Sequence, residues 1–368
     1  MDVKGSASVI GAGSSGLLFA KRAAELGVGV RVYDQKKVLG HPVRASGILS
    51  ISGLDSLGIE YKHIVSNTIY GAKIYAGNEV MTIRSGKPQA HVLNRLRLNE
   101  LLAQKCTDLG VEIERGRKVN AEQLDRLSDS GIVVGADGFN SGVARHFGMV
   151  SAGTHVLTYR EVYFTDDVEE LDMVELFFDN RICKGFFGWI APESKRTIEI
   201  GIGIGPEHGN SKEAMNRFKR IGRVMEVLKK CRFVDGGASV IPLSLRDRFT
   251  DDDKRVLLVG DAAGHVKPTT GGGIIFGGSG AVMAAEAVKN YFDGNGRISD
   301  YERMWRKQFS LDMKLHSVIR KVYASLGPAQ LSYLVKAAKL LGAESFFSEK
   351  GDMDRPSVML KRLFANKA

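Results

Sequence analysis

Residues 256–288 read VLLVGDAAGHVKPTTGGGIIFGGSGAVMAAEAV. An apolar run ends at Val259 and meets Gly260-Asp261. A turn with Pro268 follows, then Gly271, Gly272 and Gly273, then a long small-residue stretch of helical character. The far end of the chain supplies its counterpart, Gly11-Ala12-Gly13-Ser14-Ser15-Gly16, which fits G-x-G-x-x-G. Ala7 to Ile10 predicts a buried strand, Ser14 to Leu26 a helix closed by Gly27, and Val28 to Tyr33 a second strand. Between strand and helix the first glycine makes a tight turn, the second lets a pyrophosphate approach, and the third lets helix and strand pack. Free N–H groups of the first helical turn then face the phosphates. Asp34 closes the second strand as a ribose-binding acid should. A carboxylate there repels a 2′-phosphate and favours FAD or NAD over NADP, a preference that Lys36 and Lys37 weaken.

The bulk numbers agree with a nucleotide enzyme. A chain of 368 residues holds two or three domains with cores of their own. Its 43 glycines cluster in turns after strands, which suits nucleotide binding better than disorder. The net charge of +10 admits nucleic acid, an anionic membrane surface or anionic substrates as partners, or only solubility. No zinc-finger, RRM or KH pattern occurs, so nucleic acid is not expected. Cys106, Cys183 and Cys231 lie far apart without a CxxC, which argues against a disulfide framework or a metal site and for a reducing cytoplasm. The opening Met-Asp-Val-Lys runs into a strand and reads as no signal peptide. No apolar run reaches the roughly 18 residues of a membrane span.

Between the two ends the character changes twice. Leu93 to Leu109 has helical spacing with Gly110 as its stop, Val111 to Glu114 predicts a strand, and Ile132 to Ala136 another. From Leu157 to Ile204 short alternating segments predict antiparallel sheet. Lys212 to Lys230 predicts a helix. After Ile298 the pattern is helical to the end.

Val133-Val134-Gly135-Ala136-Asp137-Gly138, with Ser141 and Arg145 after it, resembles the Asp-Gly motif of flavin-dependent hydroxylases, and Gly260-Asp261 resembles their Gly-Asp motif. GDAAGHVKPTTGGGI resembles the signature of the geranylgeranyl reductase family, including its digeranylgeranylglycerophospholipid reductases. A second family element, an aromatic-x-Trp-x-aromatic-Pro box before Gly-x-Gly, reads Phe187-Gly188-Trp189-Ile190-Ala191-Pro192, with Gly201-Ile202-Gly203 after it. Phe187 replaces the usual tyrosine and Ala191 the usual aromatic. Leu93-Asn94-Arg95-Leu96-Arg97-Leu98 resembles the family's flavin-contacting arginine segment, and the likeness extends to Tyr301–Arg306. Pro42-Val43-Arg44-Ala45-Ser46-Gly47 matches a stretch that often carries a cysteine beside the flavin; Ala45 or Ser46 stands in its place.

The resemblance implies an α/β fold of the p-hydroxybenzoate hydroxylase type. In it, a discontinuous Rossmann-like FAD domain (residues 1–70, 93–150 and 253–297) is interrupted by an antiparallel substrate sheet (71–92 and 151–252), and a helical tail (298–368) follows. It implies FAD contacts at Gly11, Gly13, Ser14, Ser15, Gly16, Asp34, Gln35, Arg44, Ala45, Ser46, Gly47, Arg95, Val119, Asp137, Gly138, Asp261, Pro268, Gly271, Gly272, Gly273 and Ile274. Asp261 holds the ribitol chain, and the glycines aim N–H groups at the N1–C2=O edge of the ring. Phe187, Trp189 and Pro192 are expected in the substrate pocket.

The activity implied is reduction of prenyl C=C bonds on a lipid, with a prenylquinone as a second substrate class. A flavin monooxygenase or halogenase acting on an aromatic, and an electron carrier, are the other readings. The halogenase W-x-W-x-I-P element lacks its first tryptophan here. Reduction of an unpolarised alkene needs a hydride and a proton, and His41, His265, Ser46 and water are the proton-donor candidates. NAD(P)H or a ferredoxin-type protein is the expected reductant. A lipid substrate points to the inner face of the cell membrane, and Leu331 to Phe347, with Leu331, Leu334, Val335, Ala338 and Leu341 at helical spacing, is the stretch expected to rest there.

Overall fold

The computed structural model describes residues 5–151 and 153–365. The opening residues 1–4, read above as the lead into the first strand, lie outside it, as do the last three of the tail.

The molecule is α/β, with a six-stranded sheet, a seven-stranded sheet and a small three-stranded one. The six-stranded sheet runs in the order Thr250–Asp251, Val256–Leu258, Ile132–Gly135, Ser6–Ile10, Gly29–Asp34, Glu112–Arg115. All its pairings are parallel except that of Thr250–Asp251 with Val256–Leu258. Strands buried on both faces need to be apolar throughout, and Ile132, Val133, Val134, Val256, Leu257 and Leu258 are all fully buried. Three segments distant in the chain thus form one sheet, with the fingerprint strand beside Ile132–Gly135 and that strand beside the opening of the 256–288 stretch. The helices Ser14–Glu25 and Ile274–Phe292 pack together beside this sheet, through glycines and alanines that let the backbones approach.

The seven-stranded sheet has the order Arg232–Pro242, His155–Phe164, Thr197–Ile204, Gly188–Ser194, Met173–Phe178, Gly71–Ala76, Glu79–Arg84. It is antiparallel except where Met173–Phe178 meets Gly71–Ala76. Ala90–Leu93 does not join it, although it falls in the segment assigned to it from sequence. It pairs instead with Ile48–Ser50 and Val65–Ile69. One face of the large sheet packs on the helices Ser211–Phe218 and Gly222–Leu228, around Phe218, Ile200 and Ile202. These are two helices where the sequence predicts one, because the chain turns at Lys219–Ile221, where Ile221 is extended (φ −67°, ψ 132°).

Among the described residues the tail forms four helices, Asp300–Ser325, Pro328–Leu340, Ala343–Lys350 and Pro356–Ala365. The stripe predicted to face a membrane divides. Leu331 and Val335 are buried against the large sheet, whereas Leu334 and Leu341 are exposed. Half of that periodicity therefore reflects packing on the chain's own sheet. Among the described residues no helix is long and apolar enough to cross a membrane.

Candidate active site

The two motifs with which the sequence reading began meet at Ser15. A Cβ on Gly260 would lie 2.5 Å from the Ser15 hydroxyl, and one on Gly277 would lie 2.7 Å from it. Both glycines of the 256–288 stretch make room for the fingerprint helix. Within the fingerprint each glycine has its own reason. Gly11 has φ +108°, and its Cβ would strike the Ala136 carbonyl; a Cβ on Gly16 would come within 2.0 Å of the Gly11 carbonyl. Gly13, the N-cap of Ser14–Glu25, is different: no side chain caps that helix, and a Cβ there would meet nothing within 4 Å. The space in front of the helix N-terminus is open, with its first-turn N–H groups aimed into it. This cradle fits a pyrophosphate. Asp34 closes the end of the second strand, accepting the N–H of Ala12 through Oδ2 (2.7 Å) and that of Lys36 through Oδ1 (2.7 Å). Ser14 donates to Asn99 (3.1 Å), which ties the cradle to the helix Arg95–Asp108.

The next part of the cleft is built by Arg95 and Asp261. Burial draws the Arg95 guanidinium down to about 10, against the pull of Asp261. Burial raises the Asp261 carboxyl, against the pull of Arg95. Asp261 is surrounded by protein mass yet open to the cleft, and Arg95 Nη1 is buried with no partner among the described residues. An orphaned donor beside a carboxylate suits a chain of hydroxyl groups, as the ribitol of FAD would present. Asp137 has a structural task as well: its Oδ2 accepts the N–H groups of Gly142 (2.7 Å) and Val143 (3.2 Å), while Oδ1 has no partner among the described residues. Gly138 follows in the left-handed region at φ +81°.

The glycine run has a packing cause within the protein. A Cβ on Gly271 would meet Ile241 at 2.9 Å, on Gly272 the Lys267 stem at 2.8 Å, and on Gly273 the Asp261 carboxylate at 2.9 Å. The space beside each is filled by the protein itself, so the loop is glycine-rich because it folds tightly on its own side chains. Lys267 closes it, donating its N–H to the Gly272 carbonyl (3.1 Å) and accepting from Gly271 (2.9 Å). Pro268 is buried in this turn. Gly273 then caps Ile274–Phe292, whose first residue Ile274 is half-buried.

The remaining predicted contacts sit at the margins. Gln35 and Ala45 are exposed, and Val119 packs against the nucleotide-sheet core. Gly47 is glycine because a Cβ would lie 2.2 Å from the Leu93 carbonyl. Arg44 crosses to the large sheet and donates to the Gly236 carbonyl (3.0 Å).

The proton-donor candidates fare unequally. His265 is fully buried, stacked on Trp305 at 4.1 Å, and burial holds its imidazole far below the ordinary range. It is a core residue, not an acid open to substrate. His41 is exposed, and the Ser46 hydroxyl accepts the N–H of Ile48 (3.3 Å).

On the cleft side of the large sheet, Phe187 stacks on Phe186 (4.4 Å) and neighbours Phe178 (5.6 Å) and Trp189 (5.8 Å). The Trp189 ring lies over Gly201, where a Cβ would fall 1.9 Å from it, and Phe186 lies over Gly203. The Gly-x-Gly element is thus a bed for two aromatic rings. Side chains alternate along Gly188–Ser194, so Pro192 shares the Ile190 face and does not line the surface with Trp189. Tyr323, Leu331 and Val335 of the tail cover the aromatic cluster. The cluster adjoins the glycine loop, for a Cβ on Gly271 would sit 3.5 Å from the Phe186 ring.

Two groups of functional candidates escaped the sequence reading. The first is a charge cluster around the buried Arg160 and Glu199, at the seam between the large sheet and residues 43–44. Arg160 donates to Glu199 (2.7 Å) and to the Val43 carbonyl (3.0 Å), and Trp189 donates to the other Glu199 oxygen (2.8 Å). Glu193 stands 3.6 Å from the same arginine, as does Asp235. Glu199 holds the close pairing. Burial, with Glu199 adding to it and Arg160 opposing, pushes the Glu193 carboxyl up to about 7. The second is a clamp on the loop. The buried Lys267 ammonium meets Asp354 at 2.5 Å, Asp354 also accepts from the Ser50 hydroxyl, and His316 bridges Thr269 (2.8 Å) to the Asp354 carbonyl (3.0 Å). Burial works against the Asp354 anion, yet Lys267 holds its carboxyl below the usual range.

The chain is similar to known proteins. The model of a family described as an FAD binding domain matches residues 4–299. An uncharacterized protein of Methanocaldococcus jannaschii is 27% identical over 345 residues, covering 90% of this chain and 87% of that one. A digeranylgeranylglycerophospholipid reductase of the same organism is 25% identical over 357 residues, covering 89% of each. Among solved structures, a geranylgeranyl bacteriochlorophyll reductase-like protein of Thermoplasma acidophilum superposes with a TM-score of 0.81 at 22% identity, covering 97% of this chain and 95% of that one.

Proposed function

Because this chain belongs to the FAD-binding-domain family and is an FAD-dependent oxidoreductase of the geranylgeranyl reductase-like kind, we propose that it saturates C=C bonds in the prenyl chains of a lipid. The observation that carries this reading is the aromatic cluster of Phe178, Phe187 and Trp189, roofed by tail helices and adjoining the glycine loop. An apolar, covered surface beside that loop suits an isoprenoid chain better than a charged aromatic acid. The name of the M. jannaschii reductase supports the same substrate class.

FAD would be held by the Gly13 cradle, by Asp34, by the Arg95–Asp261 pair and by the loop of residues 267–273. When bound and reduced, it supplies a hydride. The Phe187 and Trp189 rings orient the chain and exclude water, so geometry provides much of the catalysis for an unpolarised alkene. The second hydrogen arrives as a proton. Glu193, its carboxyl raised to about 7 by burial and by the neighbouring Glu199 charge and standing 3.6 Å from Arg160, is the side chain suited to hold it. The reductant in this reading is NAD(P)H or a ferredoxin-type protein.

The test is a product analysis. Purified protein with dithionite and a geranylgeranyl glycerolipid should yield products heavier by successive pairs of hydrogens. A prenylquinone converted in place of every prenyl lipid would shift the substrate class. Unchanged prenyl compounds, together with oxygen uptake stimulated by an aromatic substrate, would overturn the reading.

A further inference from the structure

The helix Asp300–Ser325 has two contrasting faces. Its inner face buries Trp305, Phe309, Met313, His316 and Tyr323 against the helix Ile274–Phe292 and the aromatic cluster. Among the described residues its outer face is unpartnered and apolar: Leu311 is 56% exposed and Val318 58%, with Met304 and Val322 exposed on the same side. Met304, Leu311 and Val318 recur every seven residues, and Lys307, Lys314 and Lys321, all exposed, recur in step along one flank. Such a row lies about 60° around the helix from the apolar one at 100° per residue. From residue 303 to the end of the helix the only acid is Asp312, which is buried and paired with Arg355 at 2.6 Å. An exposed apolar band marks a surface that something apolar covers, and the basic row beside it attracts an anionic one.

We propose that the outer face of Asp300–Ser325 seats on an anionic lipid surface, with Leu311 and Val318 in the acyl boundary and Lys307, Lys314 and Lys321 on lipid phosphates. Lysine stems long enough to reach past the apolar band suit this arrangement. A second copy of the chain is the other conceivable cover, and the charges oppose it. A two-fold antiparallel contact would lay the lysine flank against itself, with no exposed acid on the helix beyond its first turn to pair with it. The face lies on the back of the helix that roofs the aromatic cluster, so the bilayer would stand directly behind that roof. The stretch 331–347, to which the sequence pointed, gives two of its apolar residues to the core; the neighbouring helix supplies the surface.

Flotation with vesicles tests this. The wild-type protein should float with vesicles of phosphatidylcholine containing phosphatidylglycerol, and far less with phosphatidylcholine alone. Each lysine is worth roughly fivefold in partitioning, so combined Lys307→Gln, Lys314→Gln and Lys321→Gln should lower it on the order of a hundredfold. Leu311→Gln with Val318→Gln should abolish it while leaving thermal unfolding unchanged, since both side chains face solvent. Absence of binding to the anionic vesicles, binding indifferent to both sets, or a dimer that the apolar set dissociates would overturn the proposal. These vesicles carry no prenyl chain, so the outcome is separate from that of the reductase reading.

Discussion

Replacing Gly13 with serine should strengthen the protein without cofactor and weaken its hold on FAD. Gly13 has φ −74° and ψ 176°, a conformation open to any residue, and it caps Ser14–Glu25 without a side-chain hydrogen bond. Removing a glycine at a compatible site stabilises by about 0.4–1 kcal/mol through the unfolded chain. A serine N-cap adds a few tenths over glycine. The apo protein should therefore gain about 0.5–1.5 kcal/mol. The new Cβ meets nothing in the protein within 4 Å, so it projects into the space assigned to the pyrophosphate. Overpacking there costs about 1–3 kcal/mol, or roughly 5- to 150-fold in affinity. The new hydroxyl would also compete for the N–H groups that the phosphates need. Denaturant unfolding of the apo protein gives the first quantity, and quenching of FAD fluorescence on titration gives the second. Gly16→Ala is the contrast, because its Cβ falls 2.0 Å from the Gly11 carbonyl and should destabilise the fold itself. A Gly13→Ser protein that binds FAD as tightly as wild type would refute the placement of the cradle, as would one that loses stability without it.

Glu193→Gln should slow prenyl reduction and remove from its pH profile a limb near 7. The stability effect has a fixed sign. The folded carboxyl lies above its unfolded value, so its contribution is full below the unfolded pKa and is lost as pH rises through about 7. Denaturation midpoints measured across that range should fall in wild type and level off in the variant. Lys267→Met leaves Asp354 buried without its partner and should cost about 3–5 kcal/mol, with the tail beyond residue 342 becoming the first site of limited proteolysis. Gly201→Ala should displace the Trp189 ring, cost about 1–3 kcal/mol by overpacking and shift the tryptophan emission, with Trp305 untouched in the core.

The nucleotide half of the molecule was readable because its constraints are local. Gly11, Gly16 and Asp34 serve one strand–helix–strand unit, and each residue type follows from the backbone it must permit. The Gly-Asp segment was readable for the same reason, although the glycines after it proved to accommodate Ile241, Lys267 and Asp261. What stayed hidden depends on pairing between distant segments. Arg160, Glu193 and Glu199 become one cluster only through strand register, and Lys267 finds Asp354 across 87 residues. His265 looked eligible as an acid beside a cofactor motif, but sequence alone does not reveal that the ring turns inward onto Trp305. Periodicity in the tail marked apolar residues without saying which side was covered, so Leu331 and Leu334 read alike.

Reoxidation of the reduced protein under argon tests the central claim most directly. Flavin absorbance is followed after mixing the protein with a geranylgeranyl glycerolipid or with its fully saturated counterpart. The account predicts return of the oxidised spectrum with the unsaturated lipid, in proportion to the double bonds consumed, and none with the saturated one. Equal reoxidation by both, or by neither, would contradict it.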